Sequence, residues 1–187
     1  MPAPASHDAV ALLKADHRKI EDLFARFDSA NGAARKLALA EQICLELTVH
    51  ARIEEEIVHP ACAGAIEKNL LRRARIDNQA AMGLIAEIRC CGPTDKFYDA
   101  KVRVLCEMVE HHVELAEMPI NGMFDQTRNA GLDLDDLGGR IAEAKARLVA
   151  EYRANGLPTL GTPILKPPYA SGLPCRTTTG ARATGPR

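Results

Sequence analysis

Apolar and polar residues alternate along this chain with the spacing of α-helices, and no segment shows the strict two-residue alternation of a half-buried strand. The pattern predicts four long helices separated by turn signals, at about residues 6–29, 33–61, 66–89 and 95–118. A shorter fifth helix is predicted at about residues 135–154. Four helices of similar length with short turns are typical of an up-down-up-down four-helix bundle. We therefore expect an all-α fold, with the fifth helix packed on the outside of the bundle.

The character of the sequence changes at residue 156. The last 32 residues contain six Pro and five Gly and few charges. Such a composition buries too little apolar surface to offset the entropy of ordering. The sequence thus predicts one helical domain over residues 1–155 and a disordered tail over residues 156–187.

Composition narrows the classes of partner. Hydrophobic residues make up 47% of the chain, while aromatics are only 4% and Trp is absent, so an aliphatic core is expected. The net charge of −1 argues against nucleic acid, because phosphate binding favours a basic surface. Neither a secretory signal nor an apolar run of about 18 residues is visible, so we expect a cytoplasmic protein without a membrane partner. The six cysteines form no Cys-x-x-Cys pair, so no zinc knuckle is predicted.

The second predicted helix carries a histidine and a glutamate inside its apolar seam. Steps of four and three residues place one set of side chains on a single face: Ile43, Leu47, His50, Glu54, Ile57 and Ala61. His50 and Glu54 should therefore point into the bundle. A buried carboxylate is tolerated mainly when it is paired with a cation or bound to a metal.

The other three bundle helices also carry a polar residue in the seam. They are His17 in the first, Asn78 in the third and His111 in the fourth helix. The seam of the fourth helix is Phe97, Val104, Met108, His111, Leu115 and Met118, with His112 at its edge. His59 follows the second seam beside Pro60, and we expect it at the surface.

Two interpretations of these seam residues remain open. Three imidazoles and a carboxylate aimed at one bundle core are a recurring way to build a metal site. They would suit iron, zinc or manganese equally well by ligand type. The alternative is a structural polar network, in which a protonated histidine neutralises Glu54 and Asn78 fixes the helix register.

Several segments resemble the hemerythrin-like family, whose members are often described as HHE cation-binding domains. The segments are residues 14–21 (KADHRKIE), 50–57 (HARIEEEI), 110–114 (EHHVE) and 130–134 (AGLDL). The resemblance implies a four-helix bundle with a non-haem, usually di-iron centre that binds or senses dioxygen, nitric oxide or iron. The ligands that it implies here are His17, His50, Glu54 and His111.

Two positions depart from the family pattern. Asn78 stands where the third helix usually carries a histidine ligand, and Leu115 stands where a bridging glutamate is usual. Glu114 and Glu117 are the neighbouring carboxylates that could replace that bridge, and His112 is a further candidate ligand. The sequence thus predicts a partly depleted site that holds one metal firmly and a second weakly or not at all.

Two other functions stay open beside this one. A bundle that has lost its metal would be a regulatory or interaction protein. A di-iron carboxylate enzyme would need more glutamates than the seams offer. We therefore predict a non-enzymatic protein whose partners are a metal ion, mono- or dinuclear non-haem iron in the first instance, and a small diatomic ligand.

Overall fold

The computed structural model describes residues 8–158, and this part of the chain is helical without any strand. The helices are α1 (Ala9–Ser29), α2 (Ala33–Ile53), α3 (His59–Cys62), α4 (Lys68–Cys90), α5 (Tyr98–Glu117), α6 (Met123–Asn129) and α7 (Leu134–Asn155). A π-helical segment, Glu54–Val58, joins α2 to α3. The all-α prediction is confirmed. Residues 159–187, most of the predicted tail, lie outside the described residues. No helix within residues 8–158 is long and apolar enough to cross a membrane.

The helix starts are specified locally. Asp8 caps α1, since its Oδ1 accepts a hydrogen bond from the Ala11 N–H at 2.8 Å. Asp133 caps α7 in the same way, through the N–H of Asp136 at 2.9 Å. Between α1 and α2 the chain reverses at Gly32, whose φ of +88° favours glycine. These signals set where α1 and α7 begin.

The π segment changes which residues the second helix buries. A π turn accommodates one more residue than an α turn, so side chains after it are rotated relative to a regular helix. Ile57 and Ala61, which the regular spacing places in the seam, are only partly buried. Val58, His59 and Cys62 are buried instead, each at most 1% exposed. The prediction that His59 lies at the surface is therefore wrong.

Helix α5 also presents a different face from the predicted one. Its buried residues are Tyr98, Val102, Leu105, Val109, His112, Val113 and Ala116. Two members of the predicted seam, Phe97 and Val104, are 55% and 46% exposed. Apolar residues form two stripes on this helix, one residue out of phase, and packing against α1 and α4 selects the stripe that contains His112. The predicted seam of this helix is wrong by one position, and His111 is exposed.

Two apolar clusters fill the bundle on either side of the seam polar residues. The first contains Leu13 and Ile53, and the second contains Ile20 and Leu47. His17 lies between Leu13 and Ile20 along α1, and His50 lies between Leu47 and Ile53 along α2. His17, His50 and the other buried polar side chains of the seams therefore form a polar layer between two aliphatic layers.

Helix α7 belongs to the core. It has 22 residues and matches the predicted bounds of 135–154 to within one residue at each end, but it packs in the core and not on the outside of the bundle. Its buried side chains join the first cluster: Leu137, Ile141, Ala144, Leu148 and Tyr152. The helix packs against α1 and α2, and it brings Lys145 close to the polar layer. The short helix α6 is absent from the predicted elements.

Candidate metal centre

Three buried imidazoles meet in the polar layer, from His17 on α1, His50 on α2 and His112 on α5. One potential ligand atom from each lies within 4.8 Å of the others. The Nε2 atoms of His17 and His50 are 3.3 Å apart. Two ring nitrogens at this distance repel each other unless one carries a proton or both face a cation.

Glu54 adds a carboxylate to the imidazole cluster. It is 0% exposed, and its Oε1 lies 3.5 Å from His50 Nε2 and 3.7 Å from His112 Nε2. That oxygen has no hydrogen-bond partner within residues 8–158. The other oxygen, Oε2, accepts a hydrogen bond of 2.8 Å from the Asn78 side-chain amide. One face of the carboxylate is therefore satisfied, and the other is directed at imidazole nitrogens.

Each imidazole has a carboxylate near its other ring nitrogen. Glu117 Oε1 is 2.7 Å from His17 Nδ1, and Asp16 Oδ2 is 3.7 Å from His50 Nδ1. Asp77 Oδ2 is 4.0 Å from His112 Nδ1. A carboxylate beside Nδ1 favours the proton there and leaves the lone pair on Nε2, as is usual around histidine ligands of metals. Only the Glu117 contact has the length of a hydrogen bond.

Cations behind two of these carboxylates extend the network toward the surface. Arg18 donates to Glu117 at 2.5 Å, and Lys14 lies 3.8 Å from the same carboxylate. Lys145 of α7 forms an ion pair with Asp16. The outer charges fix the carboxylates that in turn orient His17 and His50.

In the protein without bound metal, the two closest imidazoles differ in pKa. Burial, together with the neighbouring His50, lowers the pKa of His17 to about 4. Burial also opposes a charge on His50, but the carboxylates of Glu54 and Asp16 outweigh it and raise the pKa of His50 above its ordinary value. Burial would raise the pKa of Glu54, yet His50 and His112 hold it well below its usual range. The site then contains a buried ion pair between His50 and Glu54.

The donor set fits a metal ion. Glu54 Oε1 and His112 Nε2 are buried without hydrogen bonds, and such atoms are rare in folded proteins. Imidazole nitrogen and carboxylate oxygen are ligands for iron, zinc and manganese. A metal ion bound by the three imidazoles and this carboxylate oxygen would explain why these atoms have no hydrogen-bond partner within the described residues.

Within residues 8–158, no comparable cluster of ligand groups is available for a second metal ion. Asn78 Nδ2 donates a hydrogen bond to Glu54 Oε2, the oxygen that would face a second metal ion. An N–H donor in this position repels a cation. Glu114 is exposed, and Glu117 is engaged by His17 and Arg18. Leu115 offers no ligand atom. The gathered groups therefore suffice for one metal ion.

Among the sequence-predicted ligands, His17, His50 and Glu54 lie in the cluster, whereas His111 does not. The His111 Nε2 accepts a hydrogen bond of 2.7 Å from Arg73 on the outer surface. On α5, the residue that lies in the cluster is thus His112 and not His111. The sequence placed His112 only at the edge of the seam. The apolar stripe through Val102, Leu105 and Val109 contains His112, but the second stripe, one residue away, is an equally strong signal for His111.

A small cavity adjoins the imidazoles. Its volume is about 20 Å³, which is enough for one water-sized molecule. Apart from the three histidines, Asp77 and Asn78, its lining is apolar: Ile20, Leu47, Ala51, Ala81, Met82, Met108, Val109 and Val113. The cavity therefore has room for one small molecule beside the imidazoles.

Comparisons with known proteins agree with this architecture. The fold is similar to the crystal structure of a hemerythrin HHE cation-binding domain-containing protein from Mycobacterium kansasii, with a TM-score of 0.67, 20% identity, and coverage of 80% of this chain and 94% of that one. A protein from a Nostoc species described as a DNA nickase is 24% identical over 106 residues, 57% of this chain. The chain spans only 30% of that relative's length. The family model of the hemerythrin HHE cation-binding domain matches residues 8–124, and the chain belongs to this family.

Proposed function

We propose that this protein holds one non-haem metal ion, with iron the first candidate, through His17, His50, His112 and Glu54. The observation that carries the proposal is the buried Glu54 Oε1, which faces two imidazoles and has no hydrogen-bond partner within residues 8–158. Ligand type alone would suit zinc or manganese as well. The preference for iron rests on the family.

The environment of the site supports binding or sensing of a small diatomic molecule. Bound iron would supply an electron-rich centre with affinity for dioxygen or nitric oxide. The chain contributes the cavity of about 20 Å³, which has room for one small molecule and a largely apolar lining. Glu117 holds a proton on His17 Nδ1, which keeps the Nε2 lone pair directed into the site.

Elemental analysis of untagged protein from iron-supplemented cells tests the proposal. We expect one iron per chain in the wild type and in His111→Gln, because His111 lies on the surface. His112→Gln should retain little or no iron, since it removes a buried nitrogen of the cluster. Two irons per chain would contradict the partly depleted site. Equal retention of iron by both variants would contradict the ligand set.

A metal-free regulatory bundle is the second candidate function. The observation that favours it is the His50–Glu54 ion pair, completed by the Asn78 amide, which neutralises the carboxylate without a metal. The same experiment separates the two. Protein that takes up neither iron, zinc nor manganese after purification and direct titration would support the metal-free function.

We propose no nucleic-acid partner and a cytoplasmic location. The net charge of −1 supports the first, because binding to phosphates is driven by positive charge and counterion release. The resemblance to a protein described as a DNA nickase covers too little of that protein to bring its activity here. A gel-shift assay with duplex DNA at low salt would show retarded DNA if this proposal is wrong.

A further inference from the structure

A large cleft lies away from the metal centre, where α3 and the loop after it meet the first three turns of α4. We call it the α4 cleft. Its volume is about 920 Å³, within the range of about 300–1,000 Å³ that small-molecule sites occupy. Its apolar wall includes Pro60, Ile66, Leu71 and Ile76. Ile76 is 62% exposed, so its side chain is accessible to a molecule bound in the cleft.

The charged residues of the cleft are all cationic. Lys68, Arg72 and Arg75 line it, and no Asp or Glu does. Within residues 8–158, neither Lys68 nor Arg72 makes an ion pair. Arg75 is engaged, with its Nε 3.1 Å from Glu55 Oε2. Two unpaired cations beside an apolar wall are complementary to a molecule with an anionic head and an apolar body.

The inner wall of the cleft contains the buried His59. Its Nδ1 is 3.3 Å from Glu55 Oε2, so Glu55 is held by both His59 and Arg75. The Arg75 Nε contact lacks hydrogen-bond geometry, so it is an ion pair without a hydrogen bond. Glu55 follows Glu54 within the π segment, so the cleft and the metal centre share one short stretch of backbone.

We propose that the α4 cleft binds an organic acid with an apolar body. Its carboxylate pairs with Arg72 and Lys68, within reach of Arg75, and its chain packs on Ile66, Leu71 and Ile76. A neutral apolar ligand would make no use of the two exposed cations, and an inorganic anion would leave the apolar wall exposed to water. Both halves of the lining thus point to one amphipathic molecule.

The test compares two adjacent arginines by isothermal titration of the full-length, metal-free protein with decanoate. Arg72 lines the cleft, whereas Arg73 contacts His111 on another face. Arg72→Gln and Arg73→Gln change the net charge equally. We expect decanoate to saturate one site, Arg72→Gln to weaken binding about tenfold through loss of a charge-assisted contact, and Arg73→Gln to leave it unchanged.

Further ligands and a second variant test the two halves of the proposal. Acetate, which lacks the apolar body, should bind at least tenfold more weakly than decanoate, and so should decanol, which lacks the charge. Ile76→Asn alters an exposed side chain, so it should fold normally and weaken decanoate about threefold. Absence of saturable decanoate binding, equal effects of the two arginine variants, or decanol binding as tight as decanoate would each overturn the proposal. Because metal is absent throughout, failure of the metal-site proposal would not affect these results.

Discussion

The two oxygens of Glu54 lie in contrasting surroundings. On the Oε1 side, His50 and His112 approach to 3.5 and 3.7 Å without hydrogen bonding to it. On the Oε2 side, the Asn78 amide donates a hydrogen bond of 2.8 Å. Where the family usually carries a histidine, this chain has a donor that satisfies the carboxylate itself. We propose that Asn78, on α4, replaces half of a binuclear site by an ordinary buried hydrogen bond.

The largest expected effect comes from removing the charge that both sides share. Glu54→Gln should abolish metal binding, because the substitution replaces a buried carboxylate ligand with a neutral amide, which is a weak ligand for iron. Breaking a buried ion pair also costs about 3 kcal/mol in the free energy of unfolding. Metal content and urea denaturation of the metal-free protein measure the two effects.

The adjacent Glu56 offers the control for this substitution. Its side chain is 37% exposed and pairs with Arg52 at the surface, so Glu56→Gln should retain the metal and change stability by less than about 1 kcal/mol. A Glu54→Gln protein that is more stable than the wild type and still binds metal would contradict the assignment of Glu54 as a ligand.

A substitution at Asn78 tests whether this residue prevents a second metal ion from binding at Glu54 Oε2. Asn78→His replaces the amide donor with an imidazole, whose lone pair could face Glu54 Oε2. We expect iron content to rise above one per chain after reconstitution, as measured by elemental analysis. The neighbouring Gln79 is exposed, and Gln79→His serves as the control for an added histidine. Unchanged iron content in Asn78→His would mean that the missing bridging carboxylate, and not Asn78, limits the site.

The parts of the site on α1 and α2 could be predicted from sequence, and the part on α5 could not. His17 and His50 lie in single, well-defined apolar stripes, so helical spacing alone places them in the core. Helix α5 carries two apolar stripes one residue apart, and only its packing decides that His112 is buried and His111 exposed. Their role as metal ligands remains a prediction.

The second helix shows the same division. Spacing places His50 and Glu54 correctly because His50 lies in the regular helix α2 and the Glu54 N–H still bonds to the His50 carbonyl, as in an α-helix. The π segment that begins at Glu54 alters which residues are buried beyond it, so the burial of His59 could not be predicted. A π turn is stabilised by its tertiary surroundings, and no pattern of apolar residues in the sequence indicates it.

The smallest effect should come from a carboxylate that does not touch the metal position. Glu117 lies 2.7 Å from His17 Nδ1 and fixes which nitrogen is free to bind. Glu117→Gln keeps the shape but weakens this orientation, and loss of such a partner typically costs about 10- to 100-fold in metal affinity. Competition with a chelator of known affinity measures the change. Glu114 is exposed on the same helix, and Glu114→Gln should leave the affinity unchanged. If Glu117→Gln instead abolished binding as completely as Glu54→Gln, Glu117 would be a ligand itself, and the contrast between the two oxygens of Glu54 would no longer describe the whole site.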